Sequence, residues 1–483
     1  MSHKVILILF MSLMLFTANS QNRQAPEIQL KVSKTMALFN FLKYAKEEFP
    51  SNKPMVNLIH RAYGKDQKFN KLVIDYDNLR LNYGTKLPQY PKLRYSTFSS
   101  YKLLQIAAVK SSSLDEFEDR IIGILPLSTH SKFISILRNI EPYYDDLIWK
   151  NTKKSNKQIV KQLSPYKNDI QEAFFKASKF YGTDWDPDIP FVTALIPIPF
   201  SLERTNANGF ANGYLLVSEY LTKTEKDYKY RIDVIIHEMC HVLYAQQFPE
   251  FQHKLEEWFM KSESEYASLA YRYLNEGLAT AIGNGWAHKM IFDELLPEDN
   301  WYGEKTINGY ANVLYPLVSD YISQNKTINK EFVDAAISVF EKKFPKAIYD
   351  PNILMTETLF YTKVYSREQK ANLAKTWRKY YESGWFYVEM NNEFSQTLKT
   401  KKLTKVFLVD TKNSKSELNA INDKISNLNA STPENQIDFL KDEATDSLVI
   451  IIHTDSEKHF EKALKLIKKQ ETIEPGKRLS III

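Results

Sequence analysis

Apolar positions recur every three or four residues through most of the first third of the chain. In MALFNFLKYAKEEF, Leu38, Phe41, Leu42, Ala45 and Phe49 fall near one face of a helix. In SSLDEFEDRIIGIL, Ser113 precedes Glu116 by three residues, the spacing of a helix-capping box. Residues 25–181 therefore read mostly as helix. The texture changes at DWDPDIPFVTALIPIPF, where Pro187, Pro190, Pro197 and Pro199 exclude a long helix. The β-branched and aromatic residues there suit short or edge strands. NANGFANG is a glycine-containing turn and YLLVSEY a strand, so strand, turn and strand lead into the helical stretch DVIIHEMCHVLYAQQ. From Tyr271 to about Phe394 the helical pattern returns.

The tail differs again. KVFLVD reads as a strand, SELNAINDKISNL as a helix with Leu418, Ile421, Ile425 and Leu428 on one face, and SLVIIIH as a second strand. EKHFEKALKLIKK and RLSIII add a helix and a last strand. That alternation predicts a small α/β domain over 400–483, after a helical N-terminal region over 21–185 and a middle region over 186–399. The fold class expected is mainly α with a small sheet, α+β.

Composition narrows the setting. At 483 residues two or three domains are expected, and 43% hydrophobic with 25% charged residues is ordinary for a folded chain. The net charge of +6 is spread over interleaved lysine and glutamate, which argues against a nucleic-acid partner. MSHK, the apolar run VILILFMSLMLFTA and the small residues before Gln21 predict a cleaved signal peptide over 1–20. That run is shorter than the about twenty residues a bilayer span needs. A secreted or periplasmic protein with no transmembrane segment after cleavage is expected. Cys240 is the single cysteine, so no intramolecular disulfide can form, and it reads as core.

The chemistry concentrates in HEMCH. Residues four apart on a helix lie about 40° apart round its axis, so His237 and His241 can offer ring nitrogens to one metal ion. Glu238 sits about 100° from His237, where it can reach a water at the metal without being a ligand. VIIHEMCHVL carries no other charge, as expected of a helix packed by Val234, Met239, Cys240, Val242 and Leu243. Catalytic zinc takes three protein ligands. Downstream, Glu276 lies in the almost uncharged YRYLNEGLATAIGNGW, where coordination would offset the cost of burying a carboxylate. Glu263 and Glu265 are the alternatives for the third ligand.

HEMCH followed by LNEGLA resembles the gluzincin clan of zinc metallopeptidases, closest to the aminopeptidase N-like branch, over Tyr214 to Trp286. The resemblance implies a gluzincin-like catalytic region over 186–399, with Zn2+ held by His237, His241 and Glu276 and with Glu238 as general base. The implied function is hydrolysis of a peptide or protein substrate, Glu238 activating the attacking water. Clan members often add a tyrosine or histidine as second electrophile. Tyr310 and Tyr315, in TINGYANVLYPLVSDY, are the candidates, with helix packing as their other reading. The family architecture also makes YLLVSEY the substrate-pairing edge strand, with Gly209 to Gly213 lining the rim. Three departures stand out. Thirty-four residues separate His241 from Glu276, more than the branch's usual interval. Thr280 stands where thermolysin-like members carry aspartate, and Asn212 and Gly213 fall where the exopeptidase motif GAMEN is expected. A peptidase-derived protein that keeps the metal site but only binds a peptide or surface ligand is the alternative reading.

Overall fold

The computed structural model describes residues 25–481 apart from 47–52, 88, 92–93, 95–96, 200–208, 214, 223–227, 364–365, 382–384 and 426–427. Phe49, the leader over 1–20 and the first residues of the NANGFANG turn lie outside the described residues. The chain is mainly helical with small mixed sheets, an α+β protein. It divides into two compact units, one comprising residues up to Lys261 with Arg272–Ala336, the other Ser262–Tyr271 with Ile337–Ile483.

The first unit is built on a four-stranded sheet in the order β1-β4-β6-β5. Strands β1 (Ile28–Val32), β4 (Phe191–Ile198) and β6 (Leu215–Leu221) are parallel, and β5 (Gly209–Asn212) runs antiparallel to β6 at the edge. A separate two-stranded ribbon pairs β2 (Gly84–Lys86) with β3 (Thr97–Ser99). Two expectations change here. FVTALIPI is an interior strand buried at every position, as continuous apolar runs in parallel sheets are. Pro197 is accommodated because β1 ends opposite Leu195, leaving β4 with one neighbour beyond it. LLVSEY, from Leu215 on, lies in β6, which is internal; the edge is β5.

The helical half packs on this sheet. Ser33 caps the Lys34–Ala45 helix by accepting from the Met36 amide. Leu38, Phe41, Leu42 and Ala45 are buried as the spacing predicts, but so are Met36, Ala37, Phe39 and Tyr44. One apolar cluster runs from Met36 through Ile148 to Val192 and Val217, so helices and sheet share a core. Ser113 caps the Leu114–Arg120 helix through the Glu116 amide at 3.1 Å, while the Glu116 carboxylate returns to the amide of Ser112 rather than Ser113.

The second unit holds a six-stranded sheet in the order β12-β10-β11-β9-β7-β8. Its strands are β7 (Thr358–Thr362), β8 (Trp385–Tyr387), β9 (Thr404–Asp410), β10 (Gln436–Asp442), β11 (Ser447–Thr454) and β12 (Arg478–Ser480). Strands β8, β7, β9 and β11 are parallel, and β10 is antiparallel to β11 and β12. The alternation read from KVFLVD onward is present. Three strands were not foreseen: β10, and β7 and β8, which lie in a stretch that reads as helix and carry the sheet upstream of Thr400. TLFYT is too short, and too uniformly buried, to show any period. Among the described residues no helix is long and apolar enough to cross a membrane.

Candidate metal centre

HEMCH lies in the Tyr228–Ala245 helix, where Ile232, Ile235, Ile236, Met239, Cys240, Val242 and Leu243 are buried. Glu276 comes from the Ala267–Thr280 helix, which continues into a π-helical turn over Ala281–Ala287. Such turns widen the helix by one residue and occur at functional sites. Here the turn brings Gly283 against the first helix. A Cβ at Gly283 would lie 2.9 Å from the His237 amide nitrogen and 3.0 Å from the Asp233 carbonyl. Just past the turn, His288 Nδ1 lies 3.0 Å from both carboxylate oxygens of Asp233, one helical turn before His237. Both partners are buried, so the clamp fixes the two helices in register.

Three donor atoms converge. His237 Nε2 and His241 Nε2 are 3.1 Å apart, and the Glu276 oxygens lie 3.5 Å from the first and 3.4 Å from the second. These three residues form the metal-competent cluster found among the described residues. A tetrahedral ion with bonds of about 2.0–2.1 Å sets its ligands about 3.3 Å apart, and the observed edges bracket that value. Asn275 Oδ1 accepts from His241 Nδ1 at 3.1 Å, which leaves the Nε2 lone pair facing the cluster. Thr280 Oγ1 lies 3.5 Å from His237 Nδ1, so Thr280 occupies a supporting place behind that histidine. Glu276 Oε2 is shut off from solvent, with His237 Nε2 3.5 Å from it.

The electrostatics match this convergence. Burial raises the Glu276 carboxyl, but hydrogen bonds from His237 and His241 and their charge outweigh it and hold the group below the usual carboxylate range. Burial lowers His241, but the Glu276 carboxylate beside it, with Glu238, pushes it up to about 9. Glu238 is raised above the ordinary glutamate value, chiefly by burial. Its carboxylate accepts from the Ala211 amide of β5. A Cβ at Gly209 would lie 2.9 Å from Glu238 Oε1, so only glycine lets the edge strand approach so closely.

The other candidates fall as follows. Tyr310 is fully buried against Gly277 and donates its hydroxyl to the Ala336 carbonyl at 3.3 Å. Tyr315 packs edge-on to Trp301 above Gly285. The tyrosine that meets the ligand set is Tyr302, stacked on His237 at 5.7 Å between ring centroids. Asn308 holds it there by accepting from the Trp301 and Tyr302 amides. Glu263 and Glu265 are exposed and outside the cluster. Tyr302 and Asn275 had no signal of their own in the sequence, although Asn275 is adjacent to Glu276. Comparison with known proteins returns no matching family model, no curated relative and no similar solved structure.

Proposed function

We propose that the chain is an exported, zinc-dependent metallopeptidase of gluzincin type that hydrolyses peptide bonds in a peptide or protein substrate. The observation that supports it most is the spacing of His237, His241 and Glu276, with the Glu238 carboxylate beside the set but outside it. Two histidines and a carboxylate also serve iron(II), but right-angle coordination with bonds of about 2.1 Å brings ligands to about 3.0 Å. The three edges of 3.1, 3.4 and 3.5 Å span both values, and the HEMCH spacing with a downstream glutamate is what supports zinc. When bound, zinc lowers the pKa of water to about 7 and polarises the scissile carbonyl.

The protein's own groups supply the rest. Asn275 and Thr280 orient the two imidazoles, and the π turn and the Asp233–His288 clamp hold their helix in place. Glu238 takes a proton onto its carboxylate and returns it to the leaving amine, and its raised pKa suits both halves of that exchange. Among the described residues strand β5, beside Glu238, pairs on one side only, and an extended substrate backbone can add on the other as a further strand.

The test is mass spectrometry of a diverse peptide library incubated with the protein from Gln21 onward. The Glu238→Gln variant and chelator-treated protein run beside it. Cleavage by the unmodified, metal-loaded protein alone is expected. Cleavage that persists in Glu238→Gln, or no cleavage in any arm, overturns the proposal.

A further inference from the structure

Most of the chain interleaves lysine with glutamate, but residues 150–167 hold six lysines and no acid. Of the 64 lysines and arginines, the 58 outside this stretch equal the 58 acidic residues, so the net charge of +6 is accounted for here. Lys150, Lys153, Lys154, Lys157 and Lys161 lie on the Lys150–Leu163 helix of the first unit, and all are exposed. At about 100° per residue, Lys150, Lys154, Lys157 and Lys161 fall within a sector of about 60°, with Lys153 about 40° beyond it. Thr152, Asn156, Ile159 and Leu163, on the opposite side, are buried. The helix thus carries on its outer side a lysine stripe about 17 Å long.

Few anions are at hand to neutralise it. Lys150 lies 4.0 Å from Asp146, at the start of the stripe. Lys153, Lys154, Lys157 and Lys161 form no ion pair among the described residues. Asp145 is engaged by Lys34 and Glu172 by Lys176, while Asp169 lies in the next helix. Lys150 and Lys154, Lys153 and Lys157, and Lys157 and Lys161 are each one helical turn apart, where like charges repel. The buried face holds the helix in spite of that repulsion, and an anionic partner would relieve it.

We propose that the stripe is a docking surface for an anionic lipid bilayer. Lysine is a compact point charge that meets headgroup phosphates without a set geometry. Arginine and aromatic side chains, which grip phosphodiesters in two-pronged pairs and stack on bases, are absent from it. The back of a helix is convex, and a straight row of charges on it meets a plane along its whole length. The apolar side chains of the helix are buried, so contact is by charge alone, without insertion. Clusters of about four to eight basic residues on one helix bind such surfaces, each adding about fivefold in affinity. The proposal is independent of the metal chemistry.

Vesicle sedimentation tests it, with the protein from Gln21 onward so that the apolar run at the start of the chain plays no part. Vesicles of phosphatidylcholine alone run beside vesicles rich in phosphatidylglycerol. Binding to the anionic vesicles alone is expected at low salt, and its loss at about 1 M salt, where the screening length falls to about 3 Å. Lys154→Gln, Lys157→Gln and Lys161→Gln together should weaken it about 100-fold. Glutamine is a good helix former, and a circular dichroism melt checks that the fold is kept. Lys415→Gln, Lys424→Gln and Lys458→Gln together remove as much charge from exposed positions elsewhere, and should change binding no more than about twofold. Equal binding to phosphatidylcholine, or equal loss in the two triple variants, overturns the proposal. So does an absence of binding to anionic vesicles, and capture of a single-stranded oligonucleotide in that case assigns the stripe to a nucleic acid instead.

Discussion

Each unit buries a polar cluster, and the two are built on opposite principles. In the six-stranded sheet, Lys405 is fully buried and donates to Asp442 and Thr445, and Thr445 bonds Ser447 in turn. Cation, anion and hydroxyls close on one another, and nothing further is needed. At the candidate metal centre, two imidazole nitrogens and a carboxylate point at a common space. Imidazoles and a carboxylate that converge in this way need a shared proton or a cation to join them. Burial and charge are shared by the two clusters. What separates a structural cluster from a site is whether its donors and acceptors balance.

Removing the proton carrier tests the contrast most severely. Glu238→Gln should retain the metal, measured by elemental analysis, and lose up to about 10⁴-fold in peptide turnover. Glu276→Ala should instead leave the metal centre empty after dialysis, with the fold intact by circular dichroism. The self-contained cluster should respond the other way. Lys405→Met strands the buried Asp442 carboxylate and should lower unfolding stability by about 3–5 kcal/mol in a denaturant titration. Adding Asp442→Leu should restore most of that loss, a rescue that no second substitution can give at the metal centre.

Smaller effects concern tuning. Asn275→Ala frees His241 Nδ1 and should weaken metal affinity about 10–100-fold without changing ligand identity. Proton competition should follow from His241, raised to about 9 in the metal-free site. Below that pH a metal must displace a proton, so affinity should rise about tenfold per pH unit and level off above about 9. The sign for stability is opposite. A raised histidine stabilises the metal-free fold below its unfolded value of about 6.5, and that contribution fades as pH rises through about 9. Zinc competition assays and metal-free melts across pH would measure both.

The convergence of His237 and His241 was legible because four-residue spacing on one helix is a local property, and Glu276 because a carboxylate in an uncharged run is conspicuous. Their supporting groups were not. Thr280 meets His237 only because the π turn that follows it packs against the histidine helix, and Tyr302 arrives by a turn that Asn308 pins. Strands followed the same rule. KVFLVD and SLVIIIH are long enough to declare themselves, whereas β1, β7 and β8 are strands because of what they pair with. Tyr310 and Tyr315 were singled out by helical spacing alone, which cannot say where a hydroxyl finds its acceptor.

The π turn over Ala281–Ala287 also acts as a phase shifter. One extra residue in a helix changes the azimuth of everything after it by about 100°. Gly283 meets the His237 backbone and His288 meets Asp233 because that offset lies between Glu276 and His288. Deleting a single residue there would leave Glu276 in place and turn His288 away from the Asp233 carboxylate. The angular alignment of the second helix would be lost while every chemical group remained.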